Sequence, residues 1–299
     1  MSDPSQSLLF VGGLHRSGTT PLTRALASHP EISGLSGTGV REDEGQHLQR
    51  VYPKAKVYGG SGRFAHDPRA HLTEDSPLVS PGNAAALRRA WDPYWDLERR
   101  YLLEKSPPNL VMGRFLQALF PGAPMVVVVR HPVVVALSNK KWRKAVSSDP
   151  RKFETIAGLV EHWLTAHRLF LADAPHLAPL HVLHYEDLVA DPSRELGRIE
   201  SFLGLGSPID ADSIRVGASQ PYEHTWDSWR TAWWRPGHWQ RRLVESRFGD
   251  ELATFGYGLD DLSTHTPTPA TTTYRHASAP SPDAGARSPV PERSRQTRA

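Results

Sequence analysis

Leu8-Leu9-Phe10-Val11-Gly12-Gly13-Leu14-His15-Arg16-Ser17-Gly18-Thr19-Thr20-Pro21-Leu22-Thr23-Arg24-Ala25-Leu26 decides the fold of this chain. A short apolar run ends in two glycines, and Leu22, Ala25 and Leu26 then recur at helical spacing. The stretch predicts a strand, a small polar loop and a helix N-terminus. Such a loop aims several backbone N–H groups at one point, where the helix dipole adds partial positive charge, so its natural guest is a phosphate or sulfate. Gly13, Gly18 and Thr19-Thr20 follow the spacing of a nucleotide-binding P-loop, but Thr19 stands where that motif carries lysine. The lysine bridges the phosphates of a nucleoside triphosphate. Here the cation is Arg16, inside the loop, with hydroxyls from Thr19 and Thr20. The loop suits a terminal 5′-phosphate rather than a triphosphate with magnesium; the plainer alternative is a glycine-rich turn that binds nothing.

The chain has 299 residues and no cysteine, which excludes disulfides, thiolate catalysis and cysteine-ligated zinc. Beyond Asp261 it consists of Thr, Pro, Ser, Ala and Arg without apolar period, so 262–299 is expected to be a disordered tail and 1–261 one domain. The tail carries five arginines and two acids, which accounts for the whole net charge of +3. The body is charge-balanced, and its charge gives no nucleic-acid footprint. Met1 to Ser7 is polar, without a basic region leading into an apolar one. Runs such as Met125–Val129 are too short to span a bilayer. A soluble, cytoplasmic protein without a transmembrane segment is expected.

Further strands are expected at 32–35, 101–104, 125–129 and 180–184, alternating with helices, which predicts an α/β domain with a central, mostly parallel sheet flanked by helices. Lys105 sits where the third strand gives way to Ser106-Pro107-Pro108 and a helix reaching about Phe120. In open α/β sheets ligands bind at that edge. The β-branched run Met125–Val129 ends in Arg130-His131-Pro132, with Ser138 on the following helix: a second anion-binding arrangement, or a structural ion pair. Leu48, Val51 and Tyr52 fit one face of a helix whose first turn would hold Glu42, Asp43 and Glu44. These acids cap that helix, or one of them is a general base. Residues 53–80 read as a long surface loop. Residues 207–238 read as irregular and tryptophan-rich, with Arg230 and Arg235 among Trp226, Trp229, Trp233, Trp234 and Trp239. Aromatic planes beside arginines suit a purine and a phosphate; a tryptophan lid over the core is the equal alternative. His162 and His167, five residues apart, are read as packing or surface histidines, and no metal is expected.

Taken together, Arg16-Ser17-Gly18-Thr19-Thr20 and the Arg130…Ser138 pair resemble the sulfotransferase superfamily, whose donor is 3′-phosphoadenosine 5′-phosphosulfate (PAPS). Glu104-Lys105-Ser106-Pro107 and Tyr185-Glu186-Asp187-Leu188 resemble two further motifs of that family, and the form and order of the motifs are closest to tyrosylprotein-sulfotransferase-like and related bacterial branches. The resemblance covers residues 7–258 and implies a P-loop-like, three-layer fold. It implies that Arg16, Ser17, Gly18, Thr19 and Thr20 hold the 5′-phosphosulfate, that Arg130 and Ser138 hold the 3′-phosphate, and that Lys105 faces the transferring group. It also implies a Glu or His base after the first helix: Glu44 first, then Glu42, then His47. Glu42-Asp43-Glu44 lies farther from the loop than the Glu-Glu pair of the tyrosylprotein branch. Small-molecule, lipid, glycan and peptide acceptors, with a hydroxyl or amine, all remain open. The rival readings are a P-loop kinase or other triphosphate enzyme, and an inactive nucleotide-binding relative.

Overall fold

The β-branched run Met125–Val129 lies at the apolar centre of a parallel sheet, buried along its whole length. The computed structural model describes residues 6–146 and 154–269. Five strands, β1 (Ser7–Gly12), β2 (Ile32–Gly34), β3 (Tyr101–Lys105), β4 (Met125–Val129) and β5 (Leu180–His184), pair in the order β2-β3-β1-β4-β5, all parallel. The helices are α1 (Thr19–Ala27), α2 (Pro81–Trp91), α3 (Gly113–Leu119), α4 (Pro132–Val146), α5 (Ile156–Asp173), α6 (Tyr185–Ala190), α7 (Pro192–Leu203), α8 (Gln220–Thr231) and α9 (Pro236–Thr254).

Strand side chains alternate between two cores. Phe10, Leu102, Met125, Val127 and Val182 meet residues of α2–α5 and α9 on one face. Leu9, Val11, Leu103, Val126 and Val128 meet residues of α1, α6 and α7 on the other. Burial on both faces is why the central strands β1 and β4 read as continuous apolar runs. After β1 the chain goes out to the edge strand β2 and returns to β3 beside β1, then crosses to β4 on the opposite side of β1. The order therefore reverses between β1 and β4, and the crevice at their carboxyl ends is where such sheets bind ligands.

Five expectations are corrected. Residues 40–52 form no α-helix: 3₁₀ turns at Arg41–Asp43 and Gly45–His47 replace it, because Glu42 (φ 55°) and Asp43 (φ 47°) are left-handed. The 53–80 segment is not simply surface, since Ala55, Phe64, Ala65 and Ala70 are buried in the core. The helix after Lys105 is split at Met112 into a 3₁₀ turn, Pro107–Val111, and α3. Residues 207–238 contain α8, whose buried Trp226 donates to Leu259 O (2.9 Å). The chain beyond Asp261 also stays packed at first: Leu262 is buried and the His265 ring stacks on His184 at 3.5 Å. Residues 270–299 of the expected tail, and Phe153 at the expected start of α5, lie outside the described residues. Of the packing and surface readings of His162 and His167, the structure takes packing: both are buried, and His167 stacks on Trp163 at 3.8 Å.

Candidate active site

The loop between β1 and α1 closes on a backbone that few side chains tolerate. Gly13 has φ 146°, and a Cβ there would stand 2.5 Å from Val128 O. Gly18 has φ 99°, and its Cβ would stand 2.3 Å from the Tyr185 ring. Between them Arg16, at φ 73°, is one of the non-glycine residues held left-handed. No side chain caps α1, whose N-cap is Gly18, so its first N–H groups face the loop. Ser17 is fully buried, and its Oγ has no hydrogen-bond partner among the described residues. These groups fit an anion: the donors converge and no carboxylate answers them.

Arg130, at the end of β4, is 6% exposed and completes the other wall. One terminal nitrogen donates to Arg16 O at 3.0 Å, the other to Ser219 Oγ at 2.7 Å, and the guanidinium lies 4.1 Å over the Tyr185 ring. Its Nε, shut off from solvent, has no partner among the described residues. Burial pulls the Arg130 pKa below its ordinary value, with Tyr185 and Glu186 opposing. Arg16 Nε donates to Ser138 Oγ at 3.0 Å, so the exposed Arg16 side chain lies across the crevice from one predicted cradle to the other. Residues 122 positions apart are in contact at the sheet's reversal point.

A third group gathers at the tip of β3. Lys105, 2% exposed, points to the α1 face and meets Glu42 O (3.1 Å), Glu44 Oε1 (3.4 Å) and Thr20 Oγ1 (3.5 Å). The left-handed Glu42 aims its carbonyl at the ammonium. Glu44 Oε2 accepts from Gln46 Nε2 at 2.6 Å and lies 3.5 Å from His47 Nε2. Burial alone would raise the Glu44 pKa, but the His47 hydrogen bond, Lys105, His15 and Gln46 together bring it down to about 2. Burial holds His15 down to about 4. Glu44 is thus an anion at neutral pH with the Lys105 ammonium in its reach.

Sequence reasoning missed three contributors. Glu104 points to the opposite face from Lys105 and anchors the Glu44 turn: it accepts from Gly45 N (3.0 Å), Ser106 Oγ (2.6 Å) and Asn109 Nδ2 (2.7 Å). Its signal was a second charged residue, next to Lys105, at the end of an apolar strand. Ser219, on Arg130, lay in the stretch read as irregular. Glu186 accepts from His131 N at 2.8 Å, beside Arg130, and burial raises its pKa to about 7. Arg235 stands exposed at the start of α9, apart from the Arg16–Ser138–Arg130 contacts, with Trp233 and Trp234 exposed next to it. Trp226 instead packs in the core under Arg241, 4.9 Å from its ring.

Among the described residues no group of His, Cys, Asp and Glu has metal-binding geometry, and no helix is long and apolar enough to cross a membrane. The chain is 26% identical over 211 residues to protein-tyrosine sulfotransferase 2 of Gallus gallus, with 66% of this chain and 51% of that protein covered. It is 28% identical over 225 residues to nodulation protein NoeE of Sinorhizobium fredii, with 67% and 51% covered. The chain thus spans about half or less of the length of the curated relatives it matches. A solved sulfotransferase, STF9 of Mycobacterium avium, shares the fold at TM-score 0.50 and 14% identity, over 86% of this chain and 79% of that one. The family model described as "Sulfotransferase family" matches residues 9–208, and the chain belongs to that family.

Proposed function

We propose that this chain moves a sulfuryl group from PAPS to a hydroxyl or amine of an acceptor by in-line displacement. The observation that carries the reading is the contact between the two anion cradles, Arg16 to Ser138 and Arg130 to Arg16 O, on one edge of one sheet. When bound, the donor supplies an activated sulfuryl group on a 5′-phosphate leaving group. The N–H groups at the start of α1, with Arg16, Ser17, Gly18, Thr19 and Thr20, hold that phosphate. Arg130 and Ser138, with Ser219, hold the 3′-phosphate and select this donor over ATP. Arg235 is the remaining candidate contact, from the rim. Lys105 steadies charge as the acceptor oxygen bonds sulfur and the bond from sulfur to the phosphate oxygen breaks. Glu44 takes the acceptor proton, with Glu42 and His47 as the other bases in reach. No step calls for a metal. With no membrane-spanning helix among the described residues, the reading fits a cytoplasmic enzyme.

Thermal unfolding with adenosine 3′,5′-bisphosphate, against ATP with magnesium, tests this reading. Stabilisation by the bisphosphate well above that by ATP is expected. Stronger stabilisation by ATP would overturn it in favour of a triphosphate enzyme. Bisphosphate binding without turnover of labelled PAPS on any acceptor would mark an inactive relative.

A further inference from the structure

We infer that the acceptor enters a cavity between α1 and the β2–β3 edge and is a neutral saccharide hydroxyl rather than a phenol or a lipid alcohol. The inference rests on the donor reading above and names the acceptor that this reading leaves open. Strand order sets the position. Along the carboxyl edge of the sheet, Arg130 lies on β4, the Arg16 loop on β1 and Lys105 on β3, with β2 next in line. In-line displacement puts acceptor and leaving phosphate on opposite sides of sulfur. The station beyond Lys105 is therefore the acceptor's, and a cavity of about 330 Å³ lies there, with Thr20 and Lys105 among its lining.

The lining gives the chemistry. Five hydroxyl-bearing residues line it, Thr20, Thr23, Ser28, Ser33 and Ser36; Ser28 Oγ is held by Ala25 O and Ser33 Oγ accepts from Asp96 N. Its three basic and three acidic side chains balance, which favours a neutral guest. Thr23 Oγ1 is shut off from solvent without a hydrogen-bond partner among the described residues, which leaves it free for a ligand. Among the described residues no Phe, Tyr or Trp lines the cavity, so they give a phenol ring no aromatic slot. Apolar contact is confined to Ala27, Ile32, Leu35 and Leu103, too little for an alkyl chain. A sugar ring, with hydroxyls around its rim and small apolar faces, matches this lining.

The test offers ³⁵S-labelled PAPS and one acceptor class at a time: neutral mono- and disaccharides headed by N-acetylglucosamine and cellobiose, then phenol, then decan-1-ol. Two variants plug the cavity, Thr23→Phe from α1 and Ser36→Trp from the exposed rim; the second preserves the test should the first misfold. Label on a saccharide is expected, and each variant should lower kcat/KM for it at least about tenfold. The bisphosphate Kd should stay within about twofold of the parent's. Label on phenol or decan-1-ol alone, no label on any saccharide by a chain that binds bisphosphate, or unchanged turnover in folded Ser36→Trp would each overturn the inference. Failure of the parent chain to bind bisphosphate would remove the donor reading itself, and this inference with it.

Discussion

Arg130 is buried, cationic and only partly answered: two of its nitrogens donate to protein oxygens while Nε has no partner among the described residues. A buried donor left unmet is costly, and a ligand oxygen relieves that cost. Hydrogen bonds to charged groups contribute about 1.5–3 kcal/mol, so Arg130→Ala should weaken adenosine 3′,5′-bisphosphate roughly ten- to a hundredfold. Adenosine 5′-monophosphate, without the 3′-phosphate, should lose far less. Equal losses by calorimetry would remove Arg130 from that role. Glu44 makes the complementary case. Glu44→Gln should leave bisphosphate affinity nearly intact and lower kcat about a hundredfold or more. Because its pKa falls from 4.5 to about 2, ionised Glu44 stabilises the fold above about pH 4.5, and that contribution is lost as pH drops toward 2. Glu44→Gln should therefore flatten part of the acid limb in a thermal-melt series; an unchanged limb would show that Glu44 is not held as an anion. Arg16, Lys105 and Arg130 were legible because each stands where a strand ends. Ser219 was not, since only packing of the segment before α8 brings it to Arg130.

The turn that carries Glu44 is an element in its own right. It wraps over the tip of β3 from the Lys105 face to the Glu104 face, where Gly45 N, Gln46 N and Gly45 O are pinned by Glu104, Ser106 and Trp91. A Cβ on Gly45 would lie 2.6 Å from the buried Glu104 carboxylate. Gly45→Ala should therefore displace the turn and cut turnover by at least about tenfold, while bisphosphate affinity, which depends on β1 and β4, holds. A variant with parental kcat would show that the pinning does not set the Glu44 position. This element also marks where the sequence ran out. The central strands β1 and β4 stand out because burial on both faces demands unbroken apolar runs. The spacing of Leu48, Val51 and Tyr52 fits an α-helix, but these residues also pack from a chain of 3₁₀ turns. The feature that excludes the helix, left-handed backbone at Glu42 and Asp43, has no signature in residue type. In α8 only Trp226 is fully buried, so the sequence there has no apolar stripe to read.

At the scale of the molecule, the segment after α9 is tied to the Arg130 end of the crevice by a buried polar chain. His265 stacks on His184, His184 Nδ1 lies 3.1 Å from Tyr257 OH, and that hydroxyl donates to Glu186 at 3.2 Å. Glu186 in turn accepts from the backbone N–H of His131, whose Nε2 donates to Gly258 O at 2.8 Å. The latch closes beside Arg130, and its one carboxyl has a pKa pushed up by burial from 4.5 to about 7. Between those values the folded chain binds more protons at Glu186 than the unfolded chain does, so this group lowers stability as pH rises through the interval. Buried His15, His131 and His167, each held down to about 4, act in the opposite sense between about pH 4 and 6.5. The raw pH profile of the protein mixes these slopes, and only a difference isolates the carboxyl. Glu186→Gln keeps an oxygen for the His131 N–H and leaves the Tyr257 hydroxyl free to turn toward His184. The melting temperature of the parent minus that of Glu186→Gln should fall from about pH 4.5 to about pH 7 and level off above it. A constant difference would mean that Glu186 keeps one charge state throughout, and the latch would then be indifferent to pH.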